Sequence, residues 1–503
     1  MLGETLIFAV AFGLVFRLPY TRFPLIQHIS FPCEQVRPMK YISTRGDAPK
    51  LGFCDAVLTG LARDGGLYVP ETWPKIDEAT IRSLQGKTYN EVAKTVLQPF
   101  LGDEISAEDF SAMVDEAYAS FAHPAVAPLI QTDSNEYVQE LFHGPTMAFK
   151  DVAMQLLSRV VDHILAQRGT RLTIVGATSG DTGGAAIEAF RGRSNSDIFI
   201  LFPHDKVSDV QRWQMTGVDD ANVHALSIEG NFDDCQALVK AMFNHHSFRD
   251  AHSLSGVNSI NWGRIMAQIV YYFTAALSLG SPDRKVSFTV PTGNFGDIFA
   301  GYCAKQMGLP IDQLIIATNA NDILARTLES GRYETAEAKT TTSPSMDIQV
   351  SSNFERLLFE ASDRDSDYIR QSMSSLGQSG SFSLGEKVWN EVKSGFSAER
   401  ADNKAVDQTI KSVLADSGYL LDPHTAVGVS VARRSANSTA PMVVLATAHP
   451  AKFPDAVESA CGTRPGLPER NKGLMDGEEH FTLMPNDLEV VEGYISENTR
   501  AKN

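Results

Sequence analysis

One lysine is marked out by its neighbours. In the run Leu141-Phe142-His143-Gly144-Pro145-Thr146-Met147-Ala148-Phe149-Lys150-Asp151, Lys150 follows aromatic and small apolar residues and opens the periodic segment 152–164. An amine partly withdrawn from water at such a place has a lowered pKa and becomes a nucleophile, because burial penalises its charged form. Gly144 permits a chain reversal and Pro145 suits a first helical turn, so an ordinary helix start with a solvated lysine has the same local pattern. A second stretch, Gly176-Ala177-Thr178-Ser179-Gly180-Asp181-Thr182-Gly183-Gly184, joins an apolar strand pattern to a helical one. Amides at a helix N-terminus flanked by hydroxyls hold a carboxylate or a phosphate, although a plain turn or a nucleotide loop reads alike. It lacks the Gly-Lys-Ser/Thr ending of a Walker A loop. A third stretch, Pro291-Thr292-Gly293-Asn294-Phe295-Gly296-Asp297, repeats the arrangement, with two glycines that let the backbone close on an anion. In the fourth, Leu445-Ala446-Thr447-Ala448-His449-Pro450-Ala451-Lys452, Thr447 stands at a strand end, where open sheets of this kind bind ligands.

The elements that must position these residues alternate. Beyond Lys150, apolar strand patterns at 172–175, 198–202, 223–228, 286–290, 314–318 and 442–446 are separated by helical ones, among them the long apolar segment 260–279. That alternation specifies an α/β fold with an open, mostly parallel sheet covered on both faces. Before Lys150, helical spacing near 53–61, 89–101 and 107–121 describes a mainly helical N-terminal domain over 39–129 that carries no catalytic constellation. Residues 130–503 then form the catalytic region with two α/β subdomains. A polar loop is expected at 340–344, helices over 354–433, and an acidic-faced helix at 486–498.

The chain as a whole bounds the possibilities. Its 503 residues, 43% hydrophobic and 21% charged, describe a globular protein of two or three compact units. A net charge of -17 disfavours nucleic acid and anionic membrane surfaces, and an anionic substrate would need a locally positive pocket. The five scattered cysteines contain no Cys-x-x-Cys pair, which favours reduced thiols in a cytoplasmic setting over a disulfide frame or a zinc site. Residues 1–38 differ from the rest. Their apolar run 5–16 is too short to span a membrane, Glu4 precedes it in place of a basic charge, and the segment reads as a dispensable extension.

The Lys150 segment and both glycine loops, in this order, resemble those of the fungal and bacterial threonine synthases. So do Met39-Lys40-Tyr41-Ile42-Ser43-Thr44-Arg45-Gly46, Asp64-Gly65-Gly66-Leu67-Tyr68-Val69-Pro70, Asn258-Ser259-Ile260-Asn261-Trp262-Gly263-Arg264 and Leu421-Asp422-Pro423-His424-Thr425-Ala426. The resemblance runs from Met39 to about Val457. It implies a fold type II enzyme, related in architecture to the tryptophan synthase β chain, with pyridoxal 5'-phosphate held covalently by Lys150. Gly293, Asn294, Phe295, Gly296 and Asp297 would bind the cofactor phosphate, and Thr447 would face the pyridine nitrogen. Thr178, Ser179, Asp181 and Thr182 would receive the substrate carboxylate; Lys206, Arg264, His449 and Lys452 are candidates for its phosphate. The implied reaction converts O-phosphohomoserine and water to threonine and phosphate. A related phospholyase releasing a 2-oxo acid and ammonia would share every cofactor residue. A non-catalytic anion-binding protein is the reading from another class.

Overall fold

The structure, a computed structural model, describes residues 38–435 and 439–501. The extension expected over 1–38 lies, Pro38 apart, outside the described residues.

Two sheets carry the chain. The larger has six strands in the order Phe396–Arg400, Ile311–Thr318, Val286–Pro291, Met442–Ala446, Glu136–Glu140 and Leu129–Asp133. Its neighbours run parallel except the last two, which form an antiparallel hairpin. The second has five, in the order Thr482–Pro485, Val223–Glu229, Ser196–Pro203, Leu172–Ala177 and Leu254–Ser255, all parallel. Strands Ser196–Pro203 and Val286–Pro291 are buried at every position. Helices cover both faces of a parallel sheet, so neither side of these strands meets water; hence the unbroken apolar stretch 198–202 in the first, and only the small polar Ser287 and Thr289 between apolar residues in the second.

Helix Trp262–Ser278 runs through the core with nearly every residue buried. A helix apolar all round belongs inside a protein, and here several layers close on it. Tyr41, Trp73 and Phe100 of the N-terminal region bring their rings to 5.8, 6.1 and 5.6 Å from that of Trp262. One apolar core therefore extends from Tyr41 to Leu445, and Pro38–Asn503 forms one compact unit. Among the described residues no helix is long and apolar enough to cross a membrane.

The N-terminal helices Phe53–Thr59, Tyr89–Leu101 and Ala107–Tyr118 follow the sequence pattern, the second started by a Thr88–Glu91 capping box and the third by Ser106. Between them the chain also forms a short antiparallel pair, Tyr41–Ser43 with Tyr68–Pro70. Helix Trp262–Ser278 begins two residues later than its apolar pattern, because the Asn261 side chain accepts the Gly263 amide at 2.9 Å. Asn261 also donates to the Val57 carbonyl at 2.8 Å, so it joins two helices.

Candidate active site

The carboxyl end of Met442–Ala446 is where the chemistry-bearing segments meet. A short backbone ladder fastens the residues before Lys150 to those after Ala446. Leu141 donates to the Ala446 carbonyl (3.0 Å), Phe149 to that of Thr447 (2.8 Å) and His449 to that of Met147 (3.1 Å). Lys150 opens helix Lys150–Arg168, whose first nine residues are all buried. The turn before it is closed by Asp151, which accepts the Thr146 amide (2.8 Å) and hydroxyl (2.7 Å). A Cβ on Gly144 would fall 2.3 Å from that of Asp151, so the turn admits only glycine there. Burial raises the Asp151 carboxyl to about 6, against the lowering effect of Thr146.

Lys150 faces a carboxylate. Its Nζ lies 3.2 Å from Oδ2 of Asp181, the first residue of helix Asp181–Phe190. The other oxygen, Oδ1, is ion-paired with the Lys452 Nζ at 2.9 Å and accepts from Gln211 Nε2 at 2.9 Å. Lys452 is fully buried and spends its remaining donors on the Thr146 carbonyl (2.7 Å) and Gln214 Oε1 (2.9 Å). Burial opposes the ionisation of Asp181, yet the two ammonium groups hold its carboxyl well below the usual range. Lys150 is pushed the other way: burial lowers its pKa, Lys452 and Arg264 add to that, and only Asp181 resists.

This placement corrects two expectations. Asp181 points at two cations and away from any incoming carboxylate, which it would repel. The Lys452 ammonium is fully buried, donates to two protein acceptors and is ion-paired with Asp181, so its charge is already answered within the protein. Within the same loop Thr178 is turned inward, its hydroxyl accepting the amides of Gly180 and Gly183, each at 2.9 Å. Ser179 is exposed and Thr182 half-buried at the mouth of helix Asp181–Phe190, which no side chain caps.

The second loop enters helix Gly296–Met307, also without a side-chain cap. Phe295 takes the left-handed conformation (φ 63°) that turns strand into helix, and its ring packs on those of Phe354 and Phe396. The Asn294 carbonyl accepts from the Asn353 amide (3.0 Å) and side chain (2.9 Å). A Cβ on Gly293 would stand 3.0 Å from the Ser345 carbonyl oxygen, so the loop lies directly under the short helix Pro344–Met346. Asp297 turns inward: Tyr272 donates to Oδ1 at 3.0 Å, Tyr271 donates to the same atom, and Oδ2 is buried without a partner. Burial raises this carboxyl to about 6, with the tyrosines opposing.

Matches to known proteins cover these same segments. The family model described as the N terminus of threonine synthase matches residues 40–118, that for pyridoxal-phosphate dependent enzymes 123–372, and the threonine synthase C-terminal model 425–495. A threonine synthase of Pseudomonas aeruginosa is 53% identical over 462 residues, 92% of this chain and 98% of its own. The chain belongs to the pyridoxal-phosphate-dependent threonine synthase family. Two solved structures agree. The threonine synthase of Brucella melitensis with pyridoxal phosphate bound superposes with a TM-score of 0.91 at 67% identity, covering 92% of this chain and all of that one. The threonine synthase of yeast gives 0.87 at 39% identity, covering 91% and 98%.

Pyridoxal phosphate is the cofactor of this threonine synthase family member, and the residues fit it. The amine of Lys150 is buried, and among the described residues the hydroxyl of the neighbouring Thr447 makes no hydrogen bond. The uncapped helix at Gly296 offers its amides to a phosphate. Arg264 is buried with its Nε unpartnered, and among the described residues its guanidinium makes one hydrogen bond, to the Val257 carbonyl at 3.2 Å. Burial pushes the Arg264 guanidinium down to about 10, which leaves it charged at neutral pH.

Two expected phosphate ligands lie differently. Lys206 is exposed and donates to the Gly230 carbonyl at 3.0 Å. His449 accepts the Ala451 amide on Nδ1 (3.1 Å) and its ring meets Phe142 edge-on; burial lowers it to about 4, so it is neutral at pH 7. Sequence reasoning passed over Ser345, whose hydroxyl donates to Asp181 Oδ2 at 3.3 Å and whose amide donates to His424 Nε2 at 3.3 Å. His424 is held in turn by Asp422, 2.8 Å from Nδ1. No local pattern marks Ser345, since its segment reads only as a polar loop.

Proposed function

We propose that the protein converts O-phospho-L-homoserine and water to L-threonine and phosphate, with Lys150 as the lysine that carries the cofactor and later moves protons. The observation that supports this most strongly is the Lys150 amine itself: buried, and facing a shared carboxylate at the uncapped start of helix Asp181–Phe190. When bound, pyridoxal phosphate draws electrons from the carbons next to the substrate amine and so acidifies their protons.

The chain's own groups divide the remaining work. The displaced Lys150 amine stays beside the substrate and takes a proton from Cα, then from Cβ. The Cγ–O bond to phosphate breaks, the water oxygen bonds to Cβ, and protons return to Cγ and Cα, so substrate and water account for every atom of threonine and phosphate. Ser179, Thr182 and the loop amides orient the carboxylate. Arg264 receives the departing phosphate, because a buried guanidinium with no carboxylate partner gains most from an anion. Gly293 to Asp297 hold the cofactor phosphate. The Thr447 hydroxyl would serve the ring nitrogen; a neutral partner of this kind would not keep that nitrogen protonated, which would favour elimination over transamination. The four described cysteines are unpaired, which supports a reducing, cytoplasmic setting.

The test supplies O-phosphohomoserine and quantifies threonine, phosphate and 2-oxobutyrate together. Threonine and phosphate in equal amounts are expected. Phosphate with mostly 2-oxobutyrate would remove the synthase reading and leave the fold and the lysine assignment standing.

A further inference from the structure

Lys452 is more buried than the lysine it serves, and each of its contacts belongs to a different part of the site: Asp181 of the first glycine loop, Gln214 of helix Asp209–Thr216, and the Thr146 carbonyl in the turn before Lys150. Gln214 also donates to that carbonyl at 2.9 Å, which closes the group. Four groups engage Asp181, two at each oxygen: the Lys452 ammonium, ion-paired, and Gln211, donating, at Oδ1; Lys150 and Ser345, donating, at Oδ2.

We propose that Lys452 is a positioning residue for Lys150: it fixes Asp181 in place and offsets its charge, so that the Lys150 amine meets a neutral lysine–aspartate pair in place of a bare carboxylate. The inference rests on Lys150 being the cofactor lysine. Its logic is a count of charges. A buried carboxylate beside a single lysine would hold it as a permanent ammonium, and an ammonium neither attacks a carbonyl carbon nor accepts a proton. With Lys452 neutralising the same carboxylate from its other side, Asp181 still orients the amine, but burial is free to favour its neutral form. The charged groups facing Lys150 are Asp181, Lys452 and Arg264, with Asp151 on its own helix; His424 acts on Asp181. Of these, Lys452 is the one besides Lys150 itself that touches Asp181.

The experiment strips the full-length protein of cofactor and follows the uptake of added pyridoxal phosphate by visible absorbance from about pH 6 to about pH 10. Capture needs the neutral amine, so its rate rises through the Lys150 midpoint. Lys452→Met is expected to move that midpoint upward and slow capture at neutral pH roughly tenfold. Lys452→Arg, which restores the charge, is expected to bring the midpoint back, and adding Asp181→Asn to Lys452→Met is expected to cancel the shift. A merely structural role would lower thermal stability and leave the midpoint in place; an unchanged midpoint in folded Lys452→Met overturns the proposal. Should that variant not fold, Asp181→Asn alone reads the coupling from the other end, and a midpoint that fails to fall overturns it. Borohydride reduction and peptide mapping of the captured product separate the two claims. Label away from Lys150 defeats the functional reading, whereas label on Lys150 with an unmoved midpoint defeats only the role of Lys452.

Discussion

The two glycine loops leave parallel strands and enter uncapped helices in the same way, yet the aspartate at each helix start meets opposite surroundings. Asp181 sits between two lysines and is held ionised. Asp297 sits under two tyrosine hydroxyls, neutral donors only, and its carboxyl is raised to about 6. One loop thus carries a fixed negative charge that serves a lysine. In the other, burial raises the carboxyl and no cation faces it, and the positive end of the helix is left for a phosphate. Loop topology places the backbone amides; the neighbours of one side chain decide what charge the loop presents.

Breaking the contrast at Asp181 should have the largest effect. Asp181→Asn leaves the buried Lys452 ammonium without its anion and is expected to cost about 3 to 5 kcal/mol in denaturant unfolding; a loss below about 1 kcal/mol would mean the two are not coupled. The matching change in the other loop has the opposite sign. A carboxyl whose folded pKa lies above its unfolded one contributes stability that is full below about pH 4 and lost as pH rises through about 6. Asp297→Asn should therefore be more stable than the parent by about 3 kcal/mol above pH 7, with the gap closing toward pH 4. A gap independent of pH would show that Asp297 titrates normally.

Smaller effects sharpen the division of labour. Gly293→Ala pushes a methyl against the Ser345 carbonyl and should weaken cofactor retention roughly tenfold, about 1.4 kcal/mol, as measured by equilibrium dialysis. His449→Asn keeps an acceptor for the Ala451 amide and removes a ring that is neutral at pH 7. The substrate KM should stay within about threefold, under 1 kcal/mol; a rise of about a hundredfold would restore His449 to the phosphate ligands.

Much of this was legible because its grammar is local. A strand, a glycine loop and a helix start follow one another within about a dozen residues, so both loops and the end of Met442–Ala446 could be placed from residue types alone. The strands Glu136–Glu140, Phe396–Arg400 and Thr482–Pro485 could not. The first two mix charged and apolar residues and the third is four residues ending in a proline, and all three become strands because a distant partner completes the ladder. The Lys150–Asp181–Lys452 group was hidden for the same reason. Each residue lay in a stretch already singled out, but nothing in one stretch says that its side chain turns toward another. Surface lysine and buried lysine look alike in sequence, and Lys206 and Lys452 proved to be one of each.

The central claim is that Lys150, and not the lysine on the far side of Asp181, carries the cofactor. Borohydride reduction of the protein loaded with pyridoxal phosphate, followed by proteolysis and mass spectrometry, decides it. The account predicts the pyridoxyl group on the peptide containing Lys150, and its disappearance from that peptide in Lys150→Ala. The group on Lys452, or on any other lysine of the unaltered chain, would contradict it.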